Sequence, residues 1–221
     1  MRKRISYCLA DIAIAFLILT ACKKDTLPTV TTKAVTNIAE TTVTCGGTIV
    51  SDGGASIIAK GVCWTTTVNP TVSNATINYG GGNDEFTSNI IYLTSGTSYH
   101  VRAYATNSVG TAYGEDVSFS TLGKPKLTTI AATEITSSSA TCGGNIASDG
   151  GAAVTERGVC WSTGTFPTVY DTTKTSGTGT GSYLVNITGL SSDTKYYIRA
   201  YAKNSVGTGY ADILFFTTSA K

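Results

Sequence analysis

Residues 99–111 read YHVRAYATNSVGT, and residues 196–208 read YYIRAYAKNSVGT. In the first copy Tyr99, Val101, Ala103 and Ala105 alternate with His100, Arg102 and Tyr104. A period of two with one apolar row predicts a half-buried β-strand. The Asn-Ser-Val-Gly that follows has the residue types of a turn. The outer row (His100, Arg102, Tyr104; then Tyr197, Arg199, Tyr201, Lys203) has two readings. Tyr and Arg make binding hot spots, and they also form cross-strand ladders that support a solvated sheet.

The duplication extends well beyond this strand. A shift of 97 residues superposes Pro28 on Pro125, Cys45 on Cys142, Trp64 on Trp161 and Pro70 on Pro167, without a gap from Pro28 to the C-terminus. The chain therefore divides into residues 28–124 and 125–221, two copies of one unit. Within a unit, Thr42–Ile49 alternates apolar and polar residues and ends in Ser51-Asp52-Gly53-Gly54, a turn signal. Further strands are expected at Ile57–Thr66, Tyr99–Thr106 and Glu115–Thr121. No stretch sustains a 3.6-residue period. With 24 glycines, 12 tyrosines and many Thr and Val residues, the composition favours strands. The fold class expected is all-β, two β-sandwiches in tandem.

Leu93-x-x-Gly96-Thr97-x-Tyr99, repeated as Leu190-x-x-Asp193-Thr194-x-Tyr196, resembles the tyrosine corner of fibronectin type III domains, an immunoglobulin-like fold. The RAYA-x-NSVGT that follows is similar to that family's strand F and F–G turn. The chain departs from the family in lacking its core Trp on strand B; Trp64 and Trp161 lie on the presumed strand C. The two units look like the fibronectin type III-like repeats of Bacteroidota surface lipoproteins. The resemblance implies a tyrosine hydroxyl, at Tyr99 and Tyr196, bonded back to the chain. It implies a fold and no activity.

The N-terminus agrees with export. Arg2, Lys3 and Arg4 precede the apolar run Ile12–Leu19, which is shorter than the roughly 20 residues of a spanning helix and fits a signal peptide. Leu19-Thr20-Ala21-Cys22 resembles a bacterial lipobox, which implies cleavage of residues 1–21 and acylation of Cys22. Residues 22–27 then form a lipidated tether. Removing residues 1–21 takes away Arg2, Lys3, Arg4 and Asp11 and leaves a mature chain with as many acidic as basic residues. A neutral chain without a basic stripe is no nucleic-acid binder. The partner expected first is the membrane, through acylated Cys22 in an outer-membrane lipoprotein, surface-exposed or periplasm-facing.

Catalysis and cofactors are not expected. The chain has one His and 14% charged residues. The cysteines of TCGG and GVCW (Cys45 and Cys63; Cys142 and Cys160) are 18 residues apart, with no CxxC pair and no helix N-terminus to activate a thiolate. The spacing is equally poor for zinc, and the Asp-Gly turns lack the carboxylates of a calcium site. The four cysteines are either Cys45–Cys63 and Cys142–Cys160 disulfides, as an exported chain favours, or buried thiols. Pleat geometry opposes the bridges, since Cys63 points away from the core if Val62 and Trp64 point into it.

Three weaker signals remain. Asp25-Thr26-Leu27 and Asp171-Thr172-Thr173 resemble the O-glycosylation signal of Bacteroidota, which marks Thr26 and Thr172. The loop Ser162–Gly177 is where the units diverge, with Phe166 and Tyr170 in place of Asn69 and Ser73. A loop on a rigid scaffold is where binding usually resides. The expected function is a lipid-anchored envelope protein presenting two modules for binding or adhesion, to a glycan or protein ligand. The alternative is a passive stalk or scaffold whose contacts are with other envelope proteins.

Overall fold

A computed structural model describes residues 24–221; the expected signal peptide and Cys22 lie outside the described residues. Unit one runs β1 (Thr29–Thr32), β2 (Val43–Ser51), β3 (Ala59–Thr65), β4 (Ala75–Asn78), β5 (Phe86–Ile90), β6 (Ser98–Thr106), β7 (Thr111–Tyr113) and β8 (Val117–Ser120). Unit two repeats it as β9 (Lys126–Thr133), β10 (Ser139–Ser148), β11 (Glu156–Ser162), β12 (Thr172–Thr175), β13 (Gly181–Thr188), β14 (Lys195–Asn204), β15 (Gly207–Tyr210) and β16 (Leu214–Thr217). All pairings are antiparallel, and in each unit a three-stranded sheet (β1-β2-β5; β9-β10-β13) faces a five-stranded one. The larger sheet is ordered β4-β3-β6-β7 in unit one and β12-β11-β14-β15 in unit two. The final strand expected at Glu115–Thr121 is β8, and a separate short strand, β7, precedes it; both pair with β6.

The inner rows build the cores. Val43 and Cys45 from β2, Val62 from β3, Phe86 and Ile90 from β5, and Val101, Ala103 and Ala105 from β6 form one buried cluster. The corresponding residues of unit two form the second. The repeated glycines mark the places where backbone and sheet come closest. A Cβ on Gly144 would lie 2.5 Å from the Cβ of Ala200 across the sandwich, and one on Gly158 would strike the Lys174 carbonyl of β12. The glycines of TCGG and GVCW are therefore packing residues.

Cysteine chemistry is settled by the pleat. Cys45 sits in the core cluster, while Cys63, equally buried, alternates with Val62 onto the far face of β3, where its Sγ lies 3.5 Å from the Arg102 carbonyl oxygen. The bridges Cys45–Cys63 and Cys142–Cys160, favoured by compartment, are not formed: all four are free, buried thiols. Burial pushes Cys45, Cys142 and Cys160 up to about 12 and Cys63 up to about 11. Such thiols are protonated at neutral pH and poor nucleophiles. Alkylation of the folded protein at pH 8 is therefore expected to leave all four unmodified, and alkylation after denaturation without reductant to label all four. Labelling that requires reductant would restore the bridges.

The first unit begins within the segment ahead of Pro28. Thr26 is already part of unit one: its N–H donates to the Gly53 carbonyl (2.9 Å), and its own carbonyl accepts from Asn107 Nδ2 (2.7 Å). Gly123 occupies the same place in unit two, donating to the Gly150 carbonyl (2.8 Å) and accepting from Asn204 Nδ2 (2.7 Å). The chain thus enters both units through one backbone device, and the link to Cys22 is only Lys23-Lys24-Asp25.

Candidate functional site

The outer row of the large sheet is occupied with internal contacts. Arg102 Nε donates to the Gly114 carbonyl (2.8 Å) with its guanidinium over the Tyr113 ring, and Arg199 repeats this with Ala211 (3.1 Å) and Tyr210. His100 Nδ1 lies 2.9 Å from Asp116 Oδ1. Tyr201, fully buried, donates to Glu156 Oε1 (2.8 Å), which Lys203 also reaches (3.0 Å). Hydrogen bonds from Lys203 and Tyr201 hold the Glu156 carboxyl below its ordinary range. These side chains already have partners, as a supporting ladder requires.

Tyr99 and Tyr196 stand at the corners expected of them. Each hydroxyl accepts a backbone N–H five residues upstream, from Thr94 and Ser191 respectively, at 3.1 Å. Each ring stacks on a phenylalanine of the last strand, Phe119 or Phe216. The corner fixes the loop before β6 or β14, and in unit two that loop is one wall of a cleft.

The cleft has a volume of about 520 Å³ and lies where the C–C′ loop (residues 163–171) faces residues 188–190. Trp161 and Tyr196 contribute aromatic surface, and Tyr170 stands at the rim with its side chain 96% exposed. The C–C′ loop is built, not loose. Asp171 Oδ2 accepts from the Thr168 N–H (2.8 Å) and hydroxyl (3.1 Å), and the Val169 N–H donates to the Tyr210 hydroxyl (3.1 Å). The expected loop Ser162–Gly177 is shorter than its sequence bounds, because Thr172–Thr175 forms the edge strand β12. Phe166 is 77% exposed on the same loop and does not line the cleft.

Unit one builds the same loop, with the Thr71 N–H on Asn74 Oδ1 (2.8 Å) and the Val72 N–H on the Tyr113 hydroxyl (3.2 Å), but not the same rim. Ser73 and Asn74 stand where unit two has Tyr170 and Asp171, and Tyr92 stands where unit two has Gly189. Gly189 has φ 76° and open space around its Cβ direction. Tyr92 keeps that backbone at φ 61° and projects almost wholly into solvent.

Thr172 lines the cleft and is exposed, so a glycan there would occupy the space a ligand would use. Thr26 is exposed as well, and its hydroxyl donates to the Gly53 carbonyl at 3.3 Å. Among the described residues no group of three or more His, Cys, Asp or Glu side chains is placed to hold a metal ion.

No protein-family model matches the chain, and no curated protein does. Among solved structures it is similar to the crystal structure of the FN1–FN3 domains of chicken CNTN1, with 15% identity and a TM-score of 0.46. The match covers 86% of this chain, which spans 65% of that one. The strand order of each unit, three strands facing C′-C-F-G, is that of the fibronectin type III fold. The chain is two fibronectin type III-like sandwiches in tandem. In that frame the cleft lies between the C–C′ and E–F loops, beside the C-terminal residues Thr218 and Ser219, which bond to Thr194 and Thr136. It is therefore at the C-terminal pole of the second sandwich, opposite the pole where Gly123 enters.

Proposed function

We propose that this is a lipid-anchored outer-membrane protein, held by acylated Cys22 and facing outward, that presents two fibronectin type III-like modules for adhesion. Its ligand site is the cleft at the C-terminal pole of unit two. The observation that carries this reading is the pairing of an exposed Tyr170 ring with a cavity of about 520 Å³, a size typical of small-molecule sites. Ser162, Thr163, Thr172 and Thr188 surround the ring with hydroxyls, and Asp171 supplies the one carboxylate. No basic side chain lines the cleft. An aromatic platform ringed by hydroxyls, with a negative charge and no positive one, suits a neutral sugar and disfavours phosphate or sulfate. The ligand class is a neutral glycan.

The test uses unit one's own residue. Tyr170→Ser puts unit one's Ser73 at the rim and removes the platform, while Thr188→Trp crowds the cleft from its other wall. Cells displaying the full chain, applied to a printed array of neutral oligosaccharides, are expected to bind, and either substitution to weaken binding at least about tenfold. Both variants should keep the wild-type melting temperature. Equal binding by all three proteins would move the ligand site out of the cleft, and no binding by the wild type would leave the passive stalk as the better reading. The self-satisfied outer rows already fit a supporting role for the sheet faces.

A further inference from the structure

The N-terminal pole of unit one differs from its copy in unit two in a patterned way. Leu27, Val50, Ile58 and Val109 are each between 47% and 64% exposed there. The corresponding residues of unit two, whose pole abuts unit one, are Lys124, Ala147, Thr155 and Val206. Three of the four positions are thus large and apolar only in the unit nearest the anchor. Isolated exposed apolar residues are ordinary, but a contiguous set is not.

Asn107 ties the four positions to one pole. Its Nδ2 donates to the carbonyls of Thr26 and Asp52, and its Oδ1 accepts from the Val109 N–H (2.9 Å). Leu27 follows Thr26, and a Cβ on Gly110 would lie 3.0 Å from Leu27 Cδ2. Val50 precedes Asp52 by two residues. The Ile58 N–H donates to the carbonyl of Thr106, the residue before Asn107 (2.9 Å). All four apolar residues therefore stand at the one pole whose backbone Asn107 ties together.

We propose that this pole is a membrane-contacting face, seated on the headgroup region of the bilayer that holds the lipid anchor. The proposal rests on acylation of Cys22. With Thr26 fixed to the sandwich, four Cα steps separate it from Cys22, a reach of about 14 Å when extended. The headgroup layer takes up roughly 5–8 Å on each side of the hydrocarbon. Little free length remains, so the pole meets the lipid surface whenever the anchor is inserted. Large apolar residues at that level add interfacial attachment to the acyl chains, and Lys23 and Lys24 favour anionic headgroups. Asp25 and Asp52 at the same pole keep the contact shallow. The first unit is a foot, and the second carries the cleft away from the membrane.

The test uses the full lipidated chain in phosphatidylethanolamine/phosphatidylglycerol vesicles. Because Cys45, Cys63, Cys142 and Cys160 are buried, a polarity-sensitive thiol probe at Val109→Cys or at Val206→Cys marks one pole at a time. Nitroxide lipids are expected to quench the probe at 109 several-fold more strongly than at 206. Adding Leu27→Lys, Val50→Ala and Ile58→Thr, the residues of unit two, should lower quenching at 109 several-fold while the protein still co-floats with vesicles. It should not fall to the level at 206, because the anchor still holds the pole near the surface. Equal quenching at both positions in co-floating protein would overturn the footing and leave the anchor standing. Protein that fails to co-float would remove the anchor and the proposal together.

Discussion

Replacing Asn204 with alanine is expected to destabilise unit two by about 3–5 kcal/mol, among the larger losses a single polar substitution gives. The side chain makes four hydrogen bonds from a buried position. Nδ2 donates to the carbonyls of Gly123 and Asp149, both at 2.7 Å, and Oδ1 accepts from the N–H groups of Val206 (2.9 Å) and Gly207 (3.1 Å). Truncation leaves the Gly123 carbonyl buried without its donor, and an unsatisfied buried group loses its full solvation. The incoming strand, the Ser148–Gly151 turn and the F–G turn would part company at once. Asn204→Asp should be as harmful, because it faces two carbonyl oxygens with a third. Asn107→Ala should do the same to unit one, where the partners are Thr26 and Asp52. Urea denaturation followed by tyrosine and tryptophan fluorescence measures both effects. A loss below about 1 kcal/mol would mean that water replaces the amide at no cost, and that the turn does not hold the junction.

The second large effect is on location. Cys22→Ala is expected to move the protein from the membrane fraction to the soluble fraction completely. Each buried methylene contributes about 0.8 kcal/mol, and the several acyl chains of a bacterial lipoprotein exceed the two signals that stable anchoring needs. Among the described residues no helix is long and apolar enough to cross a membrane, and the apolar foot adds only a shallow interfacial term. A Cys22→Ala protein that stays wholly with membranes would refute lipid anchoring as the means of attachment.

The duplicated strand YHVRAYATNSVGT disclosed the fold because its period of two and its turn are local properties. The long-range partners of the same residues left no local trace. Asn107 looks like any turn residue, and its two carbonyl partners lie 55 and 81 residues away. Thr32 is likewise unremarkable in sequence, yet its hydroxyl donates to the Glu115 carbonyl (2.7 Å) and accepts from the Ala103 N–H (3.0 Å), a stitch repeated by Thr129. Strand β5 was missed although Phe86, Ser88 and Ile90 alternate as buried residues; the serine hid the apolar row. The bonds of Thr26 left no trace for a related reason. Asp25-Thr26-Leu27 has no resemblance to Leu122-Gly123-Lys124, and backbone hydrogen bonds need none. Phe166 and Tyr170 were visible as the point of divergence between the units. The cleft was not, because its two walls, residues 161–172 and 188–196, come together only in the folded chain.

The cysteines show two arguments from sequence in conflict. Compartment favoured bridges and the pleat opposed them. The pleat prevails because side-chain direction along a strand is fixed by backbone geometry, whereas an oxidising compartment only permits a disulfide whose sulfurs can meet.

Protease shaving of intact cells, followed by immunoblotting for unit two, tests the central claim most directly. An outward-facing adhesion module anchored at Cys22 is expected to lose unit two while the envelope is intact and a periplasmic marker survives. Full protection of unit two until the outer membrane is breached would contradict display at the surface and assign the two sandwiches to a periplasmic scaffold.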